Sequence, residues 1–183
     1  MQVEKPTKNE REILKLLLDN GRITDMEISE HLSISPQAIG KIRRKLENNG
    51  IIKGYSCILN FEKIGLHTFA LMHLSFSPRV YSEFGGLDVF DKVREKFRFL
   101  FCCVPSDSEV SLICLFGFRN VAEMDSYFKK FKFQFRDYCE IKRIISFSYN
   151  NLISFNSNEL LKLVIDERTL EPMSNDEFKL LKR

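Results

Sequence analysis

Between Ser35 and Lys53 the chain gathers side chains that bind anions and hydrogen-bond planar edges: Gln37, Lys41, Arg43, Arg44, Lys45 and Lys53. From Pro36 to Gly54 five basic residues stand against one acid, Glu47, a local balance of +4 in a chain whose formal net charge is +3. Charge this local points to an anionic partner on one face. Arginine and lysine donate to phosphate oxygens and guanine edges, and glutamine suits adenine, so the chemistry on offer is recognition of DNA. Catalytic chemistry has little to work with, because no nucleophile–base pair and no metal-ligand spacing stands out. His31, His67 and His73 are scattered.

A helix must position these groups. Ser35 is a natural N-cap and Pro36 a natural first-turn residue, while Gly50 supplies the stop. Turning about 100° per residue places Ile39, Ile42 and Leu46 on one side and Gln37, Lys41, Arg44 and Asn48 on the other, with Gly40 and Lys45 flanking them. Arg43 falls at the edge of the apolar stripe, where an ion pair would hold it. Two further helices precede this one. Ile13, Leu16 and Leu17 share a face ahead of Gly21; then Thr24 and Glu27 have capping-box spacing ahead of Ile28 and Leu32. Ser33–Ser35 form the turn between the second and third helices. After Gly50, Ile51–Leu59 is expected as a strand, with Lys53 and Tyr55 at a wing or its base. Three helices, a short turn before the third and a strand make a winged helix-turn-helix. An isolated basic helix would read as a solvated face; this context makes Ser35, Gln37, Gly40, Lys41, Arg44, Lys45 and Lys53 candidate DNA-binding residues.

The punctuation DNGRIT, SISPQ, KLENNGIIKGY and NFEKIGL, between Asn9 and Leu66, resembles the DNA-binding module of the Lrp/AsnC (feast/famine) transcription regulators. Arg43 departs from the resemblance: the family places an apolar residue there, and here Ile42 takes the packing role.

From His67 the texture changes. HTFALMHLSF suits a buried strand. Leu87, Phe90, Val93 and Phe97 make a helical stripe after Gly85–Gly86, and RFLFCCV with VSLICLF, apolar on both faces, flank the polar turn PSDSE as a hairpin. Asn120 caps a helix in which Val121, Met124, Phe128, Phe131, Phe135 and Tyr138 recur at helical spacing, and EIKRIISFSY closes the series as a strand. The order β-α-β-β-α-β is ferredoxin-like, giving an α+β chain. In Lrp/AsnC proteins such a domain mediates dimerisation, builds larger rings and binds small effectors, typically amino acids. The resemblance puts the effector site near the hairpin turn, where Ser106 replaces the family's glycine, Asp107 is matched and Glu109 stands for a second acid. Asp107 also reads as an ordinary turn residue.

The expected domains are a winged helix-turn-helix at 1–60, a connector at 61–66, a ferredoxin-like dimerisation and effector domain at 67–150, and a C-terminal extension at 151–183. Expected partners are double-stranded DNA, a second copy of the chain and a small-molecule effector such as an amino acid; no cofactor, metal or membrane is called for. The polar N-terminus, the absence of a long apolar run and the five cysteines without C-x-x-C spacing suit a cytoplasmic protein with buried, reduced thiols. Two other readings use the same features. One is an effector-independent architectural DNA binder. The other, from the resemblance, is a tetrapyrrole decarboxylase-like enzyme using histidine and arginine in the second domain, where His73 is the one histidine from Thr68 to Tyr149.

Overall fold

Thr7 and Thr24 begin their helices in the same way. Each hydroxyl accepts from the amide three residues on, and the glutamate there reaches back to the cap amide. The Thr24 box is the one expected; Thr7–Glu10 has the same spacing and starts α1 (Lys8–Asp19), ahead of α2 (Asp25–Leu32) and α3 (Pro36–Asn48). Ser35 Oγ accepts from the Ala38 amide at 3.3 Å, and Gly50 ends α3 at φ +68°. Ile13, Ile23, Ile28, Ile39 and Leu46 form the core of this bundle, with Leu16, Leu17, Leu32 and Ile42 partly buried around it. These facts come from a computed structural model that describes residues 5–85, 88–106, 109–155 and 157–168.

The chain divides into two units: residues up to Ile58 with those from Phe155 onward, and Leu59–Ser154. The expected strand at Ile51–Leu59 is not formed. The segment runs out with Tyr55, Ile58 and Leu59 exposed, because a strand needs a ladder partner and no described residue of the same chain offers one. In the first unit, α7 (Asn158–Ile165) packs on α1. Asn158 Nδ2 donates to the Leu18 carbonyl at 2.6 Å, while Lys162 pairs with Asp19 at 2.6 Å and Asp166 with Lys15 at 3.0 Å. The stretch expected to form a second terminal helix from Ser174 or Asn175 lies outside the described residues.

The second unit carries an antiparallel sheet in the order β2-β3-β1-β4, with β1 Thr68–Phe76, β2 Phe101–Cys103, β3 Leu112–Phe118 and β4 Cys139–Ser148. Two helices, α4 (Pro78–Phe84) and α5 (Asp88–Lys96), occupy the first crossover where one was expected; Gly85, at φ +81°, separates them. Leu87, counted in the expected stripe, lies outside the described residues. Helix α6 (Val121–Phe135) is capped by Asn120 through the Glu123 amide at 2.8 Å and buries Met124, Phe128 and Phe131. Phe133 is exposed, which settles the helical reading over strand alternation, while Val121, counted in the expected stripe, is exposed at the first turn of the helix.

One sheet face is covered: Ala70, Met72, Leu74, Leu112, Cys114, Phe116 and Phe118 pack with α6 into the core. The strands' expected burial on both faces holds for that face alone. On the other, Phe101, Leu115, Leu71 and Ile145 align as one cross-strand row, with Phe101 51% and Ile145 38% exposed.

Candidate nucleic-acid interface

The outward side of α3 presents Gln37, Lys41 and Arg44, all exposed, and Ser35 is exposed at its start. Neither Lys41 nor Gln37 has a side-chain hydrogen bond or ion pair among the described residues. Arg44 Nε donates to the Gly40 carbonyl at 3.2 Å, which leaves its two terminal nitrogens as further donors. Lys53, in the segment after the helix, is exposed.

Three of the basic or flanking positions have different surroundings. Arg43 is only 16% exposed; Nε donates to Asp25 Oδ1 at 2.9 Å, Nη2 forms an ion pair with the same oxygen at 2.8 Å, and Nη2 donates to the Ile23 carbonyl at 3.0 Å. This is the ion pair expected from its place beside the apolar stripe, and it ties α3 to the start of α2. Gly40 is buried and not on the open face. A Cβ there would stand 2.9 Å from Asp25 Oδ2, so the residue's smallness serves helix–helix approach. Lys45 pairs at 2.9 Å with Glu10 of α1, whose side chain is 7% exposed. The Lys45 ammonium and the Thr7 amide together hold the Glu10 carboxyl below its ordinary range.

Asp25 and Glu10, which sort the cations into structural and outward-facing, were not singled out in the sequence. Glu10 had a signal in the T-x-x-E spacing from Thr7; Asp25 had none, since its partner lies 18 residues away. Tyr55 is also fixed locally. Its hydroxyl donates to Glu47 at 2.7 Å and its ring centroid lies 5.9 Å from the Arg43 guanidinium, which anchors the segment carrying Lys53 against the end of α3.

Of the residues expected at an effector site, Ser106 and Glu109 are exposed on the β2–β3 turn, and Asp107 lies outside the described residues. No group of three or more histidine, cysteine or acidic side chains able to hold a metal occurs among the described residues, and no helix there is long and apolar enough to cross a membrane.

Residues 6–53 match the family described as winged helix-turn-helix DNA-binding. The HTH-type transcriptional regulator LrpB of Bacillus subtilis is 44% identical over 72 residues, 39% of this chain and 48% of LrpB. Among solved structures, Escherichia coli AsnC aligns with a TM-score of 0.65 at 17% identity, covering 92% of this chain and all of AsnC. The chain has the fold of the Lrp/AsnC transcription regulators, and its N-terminal module is similar in sequence to that of an Lrp-type regulator. A Neisseria meningitidis transcriptional regulator, solved as a complex with L-Met, aligns with a TM-score of 0.67 at 22% identity, over 84% of this chain and 96% of that one. The Lrp/AsnC fold accounts for both units: a helix-turn-helix that binds DNA and a four-stranded sheet with helices on one face.

Proposed function

We propose that this chain is an Lrp/AsnC-type regulator that reads specific DNA sequences as a homodimer or higher oligomer, with Gln37, Lys41 and Arg44 at base edges and phosphates and Ser35 and Lys53 on the backbone. The observation that carries the reading is the division of labour on α3: Arg43 is held by Asp25, while Lys41 and Arg44 face outward. Lys45 contributes to the local field while paired with Glu10. One such helix contacts few base pairs, so paired half-sites read by two copies are needed for operator-level specificity. Two features support self-association: the apolar row Phe101–Leu115–Leu71–Ile145 across the open sheet face, exposed at both ends, and the extended segment with Tyr55, Ile58 and Leu59, which has no ladder partner among the described residues. Modulation by a small molecule at the Ser106–Glu109 turn belongs to the same proposal and draws support from the L-Met complex of the Neisseria regulator.

The test is a salt titration of binding to the chain's own upstream DNA against a scrambled duplex of equal length. Sequence reading predicts a preference of at least ~1,000-fold at physiological salt. Equal binding to both duplexes, falling by roughly 10³–10⁵ between ~50 and ~200 mM salt, would replace it with the architectural reading. Lys41→Ala combined with Arg44→Ala should lose that preference; unchanged operator affinity would overturn the residue assignment.

A further inference from the structure

Within the second unit a cavity of about 370 Å³ lies between the covered sheet face and helices α4, α5 and α6. Its walls are aliphatic and aromatic: Met72 and Leu112 come from the sheet, Val80 and Val93 from the crossover helices, and Phe131 and Phe135 from α6. The pocket is partly open to solvent, so a ligand can enter it without unfolding of the unit. An apolar cavity of ~150 Å³ stays dry and takes up benzene; scaled by volume, this one has room for an apolar body of up to about fifteen carbons. Water gains little there, because the walls offer it few of the polar partners it needs.

Among the described lining residues one carries a charge. Lys92, on the exposed side of α5, lies with Nζ 3.3 Å from the Phe84 carbonyl and 5.3 Å from the Phe84 ring centroid. No carboxylate among the described residues pairs with it. Tyr138, also on the lining, meets the same Phe84 ring edge-on at 6.0 Å. An apolar chamber with one unneutralised ammonium on its lining and a tyrosine beside the same Phe84 fits a molecule with a hydrocarbon body and a single anionic head.

We propose that this cavity binds a medium-chain fatty carboxylate, its chain among the sheet and helix side chains and its carboxylate on Lys92 and Tyr138. The site is distinct from the Ser106–Glu109 turn, of which no described residue lines it. It also makes no use of the DNA-binding face, so its test is independent of the regulator reading.

Sodium decanoate, titrated below its micelle concentration into the full chain by isothermal calorimetry, should show one saturable site per chain and raise the melting temperature of the second unit. Decylammonium, of equal length and opposite charge, should bind about tenfold more weakly or worse, as expected when a charge-assisted hydrogen bond gives way to like-charge repulsion. Lys92→Glu, a change at an exposed position, should weaken decanoate by a similar factor and favour decylammonium. The proposal is overturned if decanoate gives no saturable binding, if the two head groups bind alike, or if Lys92→Glu leaves decanoate affinity unchanged. The head-group comparison needs no variant, so it decides the matter even where a substitution perturbs folding.

Discussion

Arg43→Ala should loosen the helix-turn-helix while leaving DNA affinity nearly as it is. The side chain makes a hydrogen bond and an ion-pair contact to Asp25 Oδ1 and a hydrogen bond to the Ile23 carbonyl, all within 3.0 Å. Hydrogen bonds to charged groups are worth about 1.5–3 kcal/mol when sheltered. Asp25 is 37% exposed, however, which draws its share toward the ~0.2–1 kcal/mol of a surface pair. With the carbonyl bond added, the expected loss is about 2 kcal/mol. Amide hydrogen exchange in α2 and α3 is the suitable assay, because it reports this bundle separately from the sheet. Asp25→Ala alone also removes an acid from the first turn of α2, where it favours the helix dipole by ~0.3–1 kcal/mol. A double-mutant cycle cancels that contribution and should leave a coupling of about 1 kcal/mol between the two residues. If Arg43→Ala cost less than ~0.5 kcal/mol by exchange and operator affinity fell about tenfold, Arg43 would be a DNA contact. The sorting of cations on α3 would then be wrong.

Acidification offers a second check. Glu10 is held below its ordinary pKa, so it contributes stability that is complete above the unfolded value of about 4.3 and is lost as pH falls through the lower, folded value. Urea midpoints should therefore drop more steeply from about pH 5 to pH 3 in the wild type than in Glu10→Gln. A third concerns Cys102 and Cys114, whose sulfurs stand 3.0 Å apart across paired strands β2 and β3. Hydrogen peroxide should oxidise the two thiols to one disulfide with release of two waters, seen as the loss of two hydrogens by intact mass. Either Cys→Ser change should abolish the linkage. Truncation after Ser154 removes the partners of Leu18, Asp19 and Lys15, so exchange should accelerate through α1 while the sheet stays protected. Unchanged protection in α1 would mean that α7 adds nothing to it.

Local rules carried much of this protein. The Thr24–Glu27 and Ser35–Pro36 caps, the Gly50 stop and the Ile39–Ile42–Leu46 stripe act over one or two turns, so their consequences are written in neighbouring residues and the helix-turn-helix was legible from them. The aromatic period of α6 was equally plain; a helix needs no partner to set its repeat. Interactions distant in sequence decided the rest. Asp25 claims Arg43 and crowds Gly40, and Glu10 claims Lys45, over separations that no periodicity records. Ile51–Leu59 has strand composition and forms no strand, because a ladder is a property of two segments. The return of α7 to α1 rests on charges and a carbonyl some 140 residues away. The cavity beside Lys92 likewise exists only where the crossover helices and α6 stand off the sheet. Composition told which residues could be buried; only the tertiary structure decided where they leave a space.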